Sequence, residues 1–242
     1  MSDIHQSKII EEDFFLAICE ALRWWLSFDG PQTGLIQNRP VPGLTKKDVR
    51  NIAFTYNFSR NLSAHDDDIQ YVADRINAFF GQTWADLDSR AAEIEAAITD
   101  IREHGGRDLN LVSGTTKLSW FVSPTNWTPF DRLAAQSVKA KHQNTVKRMR
   151  QFYAKLDDIA FLHCAKNIED HLSSTLFSGL GGCRVLDKYL MLNGEEIWAS
   201  GAKELTTAFV NSLPDTMKID LLRVGEAILS DPLSQLDLGA IK

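Results

Sequence analysis

Residues 8–27 read KIIEEDFFLAICEALRWWLS. Apolar side chains return in this stretch every three or four positions, which is the spacing of one face of an α-helix. The pattern predicts a helix over about 8–27, which the Asp29-Gly30-Pro31 turn would end. The same spacing recurs through almost the whole chain, so the sequence predicts an all-α protein.

Helix starts are marked by a repeated capping signal. Thr45 stands three residues before Asp48, and Thr83 three residues before Asp86, which opens a long segment through His104. A Thr side chain and an acidic side chain at this spacing satisfy each other's backbone N–H groups at a helix N-terminus. Further helices are predicted over about 129–153, 156–176, 183–193, 199–211 and 214–230.

Composition sets the class of protein. The chain has 242 residues, of which 44% are hydrophobic and 24% charged, so a disordered or collagenous protein is excluded. We expect one compact helical domain over 1–242, or two packed lobes over 1–106 and 107–242.

Cysteines and the N-terminus indicate the compartment. The three cysteines are far apart and surrounded by apolar residues, which predicts neither a disulfide framework nor a metal site. There is no signal-peptide pattern and no apolar run of about 20 residues. We therefore expect a cytoplasmic protein with no metal, no cofactor and no membrane partner.

Charge is distributed unevenly. The net charge of −6, taken as an average, argues against a nucleic-acid partner. The segment 132–155 nevertheless holds seven basic residues and no acidic one. Basic side chains that contact phosphates supply most of non-specific nucleic-acid affinity, so the segment favours a polyanion partner. The alternative is a solvated helix face with its cations near the C-terminus.

The least regular stretch lies just before this basic segment. Residues 113–132 read SGTTKLSWFVSPTNWTPFDR. A small, glycine-containing turn that leads into a helix presents backbone N–H groups suited to a phosphate. Lys117 just after that turn and Asp131 at the start of the next helix would converge on one cleft.

This stretch resembles the helix-hairpin-helix DNA glycosylases. It is most similar to bacterial proteins described as 8-oxoguanine-glycosylase-like, some of which belong to anti-phage defence. In that superfamily a Gly-x-Gly-x-Lys hairpin precedes an apolar helix and a Pro-x-Asp step, and Gly114–Lys117 and Pro129–Asp131 are the matching pieces. The segment 183–190, CRVLDKYL, is similar to another segment of the same proteins.

The resemblance implies a helix-hairpin-helix glycosylase that excises a modified or damaged base, in repair or in phage defence. The target base would be flipped into a pocket and its N-glycosidic bond cleaved, leaving an abasic site. Asp131 would stabilise the cationic sugar, and Lys117 would attack C1′ and add a lyase activity. Trp120 and Trp127 would line the base pocket. The residues expected to contact DNA are Gly114, Thr115, Arg132, Lys139, Lys141, Lys147, Arg148 and Arg150.

Structural alternatives stand beside each role. Asp131 also fits a third Thr-x-x-Asp helix start, Lys117 a solvated lysine, and the two tryptophans core packing. Arg60, and the pair of Arg184 and Asp187, are interpreted as structural ion pairs. For the whole protein, the alternatives to an enzyme are a non-catalytic DNA- or RNA-binding module that uses the basic segment, and a helical protein-interaction subunit.

Overall fold

The computed structural model describes residues 2–105, 111–194, 196–232 and 236, without the side chains of 2–11, 105 and 196–199. The regular structure within these ranges is entirely helical, which confirms the all-α prediction. None of the described helices is both long enough and apolar enough to cross a lipid bilayer. In chain order the α-helices are α1 Ser2–Trp24, α2 Gly30–Gln37, α3 Lys46–Thr55, α4 Asp66–Asn77, α5 Leu87–Gly105, α6 Val112–Val122, α7 Arg132–Ser137, α8 Thr145–Asp158, α9 Phe161–Ser173, α10 Gly182–Leu192, α11 Glu196–Ser212 and α12 Asp215–Ser230.

The chain forms two compact units, each built from separate segments. The first unit takes the described residues within 1–30, 131–141 and 155–242. The second unit takes those within 31–130 and 142–154. The predicted division after residue 106 falls inside the range of the second unit, because the grouping follows contacts between helices that are distant in sequence.

Helix α10 is the centre of the first unit. Helices α1, α7, α9 and α11 pack against it, and its residues 182–190 are all buried. Gly182 permits the close approach of α9, since a Cβ at this position would lie 1.8 Å from the Ala165 carbonyl oxygen. A larger residue at 182 would therefore separate the two helices.

Helix α6 has the same place in the second unit. Helices α3, α4 and α5 pack against it, and every residue from Gly114 to Val122 is buried. The predicted capping box at the start of α3 is confirmed, because Thr45 and Asp48 bond each other's backbone N–H groups. Although burial opposes it, hydrogen bonds from Arg39 and Thr45 lower the pKa of Asp48 to about 2.

The predicted end of the first helix is wrong. A π-helical turn over Trp25–Asp29 follows α1, in which Gly30 N–H donates to the Trp25 carbonyl, and α2 begins at once. Pro31 stands in the first turn of α2, where its missing N–H has no intrahelical acceptor to lose. The Gly-Pro pair therefore reads as a turn in the sequence but is compatible with a helix start.

Other boundaries also differ from the sequence prediction, including the break predicted at 153–156, which lies between Asp158 and Phe161. Helix α5 begins at Leu87, and its cap is Asp86, whose carboxylate accepts from Ser89 N–H at 2.7 Å, so Thr83 does not start it. The single helix predicted over 129–153 is two helices, α7 and α8. Lys139, two residues after the end of α7, has a left-handed backbone with φ of 57°. Glycine is the residue that most often takes this conformation after a helix.

Candidate functional site

Asp131 is the N-cap of α7 in the first unit. Its carboxylate accepts a hydrogen bond from Leu133 N–H at 2.9 Å, and its side chain is half-buried. The predicted Thr-x-x-Asp start is therefore wrong in its register, because Asp131 is itself the N-cap and α7 begins at Arg132. Its partner in the predicted Thr-x-x-Asp start, Thr128, has a buried hydroxyl without a hydrogen bond to any described residue. The catalytic role of Asp131 stays a prediction.

Lys117 lies on α6 in the second unit and is buried, with 8% of its surface exposed. Its amine donates to the Ser113 hydroxyl at 2.6 Å and lies 5.7 Å from the centroid of the Tyr56 ring. A lysine amine enclosed by a hydroxyl and an aromatic ring is not the solvated lysine of the structural alternative.

The first turn of α6 also holds the residue that precedes Asp131. Ser113 donates through its hydroxyl to the Phe130 carbonyl at 3.1 Å, and Phe130 N–H donates to the Thr116 hydroxyl at 3.1 Å. Both backbone groups of Phe130 are thus fixed to the turn that carries the Lys117 hydrogen bond. The sequence did not predict these contacts of Ser113 and Thr116 with Phe130.

The predicted glycine turn is wrong, because Ser113–Thr116 is the first turn of α6. Thr115 N–H already donates to the Leu111 carbonyl at 2.7 Å. Gly114 is buried under Phe58, and a Cβ there would lie 2.8 Å from the Phe58 ring. The glycine therefore serves close packing, and the phosphate contacts of Gly114 and Thr115 stay predictions.

The two tryptophans expected in the base pocket are both buried. Trp120 is 3% exposed and meets Phe121 edge to face at 4.9 Å. Trp127 is fully enclosed, with Tyr153 stacked on it at 4.2 Å and the Arg90 guanidinium 4.4 Å from its centroid. These contacts favour the packing alternative for Trp127, whose ring already has partners.

The predicted basic residues are divided between the units. Arg132, Lys139 and Lys141 are exposed in the first unit, and Lys147 is exposed in the second. Arg150 makes three hydrogen bonds to Asp88, at 2.8, 2.9 and 3.1 Å, and one to Glu95 at 3.2 Å.

The interpretation of these cations as uncompensated charge is therefore wrong for Arg150. Asp88 and Glu95 lie on α5, far away in sequence, so counting charges along the local segment could not reveal them. Arg148 on α8 donates from Nε to the carbonyl of His142, which lies between α7 and α8, at 2.8 Å.

A buried charge cluster in the first unit joins α10 to the π-turn. The predicted pair of Arg184 and Asp187 is present at 2.5 Å, and Arg184 also pairs with Asp29 at 2.8 Å. The Lys188 amine lies 4.7 Å from the centroid of the Trp24 ring. Burial, and next the Arg184 guanidinium, lower the pKa of Lys188 to about 8. The sequence signal is three charged residues on an otherwise apolar helix.

The described residues offer little for metal or thiol chemistry. No group of three or more His, Cys, Asp or Glu residues among them is placed to hold a metal ion. Burial raises the pKa of the Cys19 thiol to about 12, so this cysteine is a poor nucleophile at neutral pH.

A cavity of about 620 Å³ opens between α1, α11 and α12, and none of its lining residues was predicted as a site residue.

Comparison with known proteins adds no relative. The chain matches no protein-family model, no curated protein and no solved structure.

Proposed function

We propose that the chain is a DNA glycosylase that excises a modified or damaged base. The observation that carries the proposal is the enclosed Lys117 amine on α6, in the turn that also fixes both backbone groups of Phe130, the residue before Asp131 in the chain. The burial of Lys117 and its hydrogen bond to Ser113 hold the amine in a fixed place, which a nucleophile requires and a solubilising lysine does not. The resemblance of residues 113–132 to the glycosylases supports the same function.

The proposed reaction begins with extrusion of the target nucleotide, because the C1′–N bond cannot be reached within a duplex stack. As this bond breaks, its electron pair leaves with the base and positive charge develops on the sugar. The Asp131 carboxylate stabilises that charge, as carboxylates do in glycoside hydrolysis. Water then adds to C1′ and leaves an abasic site.

Lys117 gives the reaction a second route. Its amine attacks C1′ in place of water and gives up a proton, while the base leaves with the electron pair of the C1′–N bond. Opening of the sugar ring then leaves a Schiff base. Removal of a proton from C2′ then breaks the C3′–O bond by β-elimination. The product is a cleaved strand, which distinguishes this route from simple hydrolysis.

The roles are tested with oligonucleotides that carry different modified bases and with phage DNA, treated with alkali to reveal abasic sites. The wild type is expected to release a base from at least one substrate, and Asp131→Asn to lose about 100-fold or more of the rate. Asn caps helices as well as Asp does, so this variant removes the charge and keeps α7. No release from any substrate, or full activity of Asp131→Asn, would overturn the proposal.

Lys117 needs a separate readout. Borohydride reduces a Schiff base to a stable adduct, so the wild type should become covalently joined to DNA and Lys117→Met should not. Met keeps the apolar volume of the buried side chain. An adduct that persists in Lys117→Met would show that another amine is the nucleophile.

One observation favours a second function. Because the Asp131 carboxylate already caps α7, the protein also fits a non-catalytic DNA- or RNA-binding module. Such a module would bind nucleic acid with an affinity that falls steeply with salt, and would release no base.

A further inference from the structure

One face of α3 is exposed and chemically distinctive. Arg50 and Asn51 lie three and four residues after Lys47, and four and three residues before Phe54, and all four residues are exposed. Phe54 is 82% exposed. Cations and an aromatic ring therefore share one helix surface, which we call the α3 face.

The α3 face is held outward by the core. On the opposite side of the helix, Val49, Ile52 and Ala53 are each 0% exposed. A rotation of α3 that buried Phe54 would expose these three residues. Packing of the opposite side of α3 therefore keeps Phe54 on the exposed side of the helix.

Two features of the α3 face are unfavourable for an isolated fold. Lys47 lies in the first turn of α3, at the positive end of the helix dipole, where a cation is destabilising. A phenylalanine left in water forgoes the stabilisation that burial of its ring would give. Both features are explained if the face binds a partner that is anionic and has flat apolar surfaces.

The surrounding charge fits the same partner. Lys47, and Arg60 in the short 3-10 helix after α3, form no ion pair with any residue that the structure describes, so the interpretation of Arg60 as part of a structural ion pair is wrong. Arg50 pairs with Asp66 on the surface, as Lys46 does at 3.4 Å. Exposed pairs of this kind are weak, so a phosphate can replace the carboxylate as the partner of Arg50.

The α3 face ends beside Lys117. Helix α3 closes with Asn57 at φ of 56°, and Phe58 N–H returns to the Ala53 carbonyl at 2.8 Å. This cap lays Tyr56 over the Lys117 amine at 5.7 Å. Phe54 is therefore two residues from the ring that contacts the proposed nucleophile.

We propose that the α3 face binds one strand of DNA. Phe54 stacks on an unpaired base, and Lys47, Arg50 and Arg60 contact the phosphates, which is how proteins bind single strands. Lys47 and Phe54 are about 10 Å apart along the helix, which matches roughly three stacked nucleotides. The identity of the nucleic acid as DNA rests on the proposed function; the stacking and phosphate roles rest on the α3 face.

The test for stacking is equilibrium binding of a fluorescently labelled single-stranded oligonucleotide and of the same sequence as a duplex. Phe54→Ala should weaken single-strand binding about tenfold, and duplex binding less, since duplex bases offer no face. Phe54→Trp should retain affinity. The matched control is Val41→Ala in the loop before α3, because Val41 is also 82% exposed.

The test for phosphate contact is the salt dependence of the same binding. Lys47→Gln and Arg60→Gln should each lower the slope of log affinity against log salt by about 0.7. Lys166→Gln is the control, since Lys166 is 64% exposed on α9 and pairs with Asp170. Its slope should equal that of the wild type.

The proposal is overturned if the wild type does not bind single strands at low salt, or if Phe54→Ala binds them as Val41→Ala does. It is also overturned if Phe54→Ala instead abolishes self-association of the protein, which would make the α3 face a protein interface. Base release, assayed on the same variants, separates the two proposals. If single-strand binding depends on Phe54 but no base is released, only the proposed glycosylase function is refuted. If base is released but binding does not depend on Phe54, only the proposed role of the α3 face is refuted.

Discussion

At the scale of single residues, capping and chemistry meet at Asp131. The carboxylate caps α7, and the same group is the proposed stabiliser of the cationic sugar. The sequence predicts a helix-start carboxylate with either a structural or a catalytic role, and the structure contains the structural contact, to Leu133 N–H. Separating them needs a substitution that preserves one.

Asp131→Ala is expected to lower the free energy of unfolding by about 1 kcal/mol, because it removes the acceptor for Leu133 N–H. Asp131→Asn should stay within about 0.5 kcal/mol of the wild type, since its amide oxygen accepts the same bond. Urea unfolding at pH 7 measures both. Equal destabilisation by the two variants would show that the charge, and not the cap, stabilises the fold.

Asp48 predicts a pH dependence. Its carboxylate accepts from Arg39, and the pKa of Asp48 is lowered from 3.8 to about 2. A lowered pKa stabilises the fold above pH 4, and this contribution of about 2 kcal/mol is lost as the pH falls toward 2. The difference in unfolding free energy between the wild type and Asp48→Asn should therefore shrink to about half between pH 7 and pH 3. A difference that does not change over this range would contradict the assignment.

At the scale of elements, the buried lysine of α10 gives a pH dependence of stability that appears in the alkaline range, whereas that of Asp48 appears in acid. Burial, and next Arg184, lower the pKa of Lys188 from 10.5 to about 8, in a cluster that also contains Asp187, Glu20 and Asp29. The protonated lysine is thus disfavoured in the folded state, and the folded protein gains stability as the pH rises from 8 to 10.5.

Lys188→Met removes this titration. At pH 7 its unfolding free energy should be higher relative to the wild type than it is at pH 10, because the buried ammonium is costly only while protonated. Lys166→Met on α9 is the control, since Lys166 is exposed and other titrating groups are common to both comparisons. A relative stability of Lys188→Met that is the same at both pH values would contradict a lowered pKa.

The break between α7 and α8 is set by a residue that sequence patterns do not mark. Lys139 has a left-handed backbone with φ of 57°, and the segment 132–155 has neither glycine nor proline. Tertiary packing therefore overrides the helical periodicity of the segment. The Asn57 turn after α3, by contrast, uses a residue type that commonly adopts this conformation.

Lys139→Gly should raise the free energy of unfolding by about 0.5–1 kcal/mol, because glycine has no Cβ to strain at a positive φ. Lys141→Gly is the control, and it should not stabilise the protein, since Lys141 is not among the residues with positive φ. Thermal or urea unfolding measures the difference. Stabilisation by both variants alike would show that the effect comes from loss of charge.

At the scale of the whole molecule, the sequence predicts the helical class and the start of α3 but not the grouping of segments into units. Periodicity and caps act over a few residues, so they identify helices and their starts. The grouping depends on contacts across long separations, such as those between Arg150 and Asp88, for which no local signal exists. For the same reason the sequence predicts Lys117 and Asp131 as site residues but not the hydrogen bonds that Ser113 and Thr116 make to the backbone of Phe130.

The net charge of −6 does not describe how the cations are distributed over the molecule. Cations of the predicted segment are divided between the two units, and one of them, Arg150, is neutralised within the second unit. The cations of the α3 face were not part of the predicted segment. Affinity for nucleic acid is therefore expected to depend on residues from several segments, which variants on α3 and in 132–155 measure separately by their salt slopes.

The central claim is that this chain breaks an N-glycosidic bond in DNA with the help of the Asp131 carboxylate. The most direct measurement is release of the base, quantified by mass spectrometry from modified oligonucleotides and phage DNA incubated with the wild type and with Asp131→Asn. We expect a released base and abasic sites with the wild type, and at least 100-fold slower release with the variant, at about equal stability. DNA that is bound by the wild type yet keeps every base, or equal rates for the two proteins, would contradict the account.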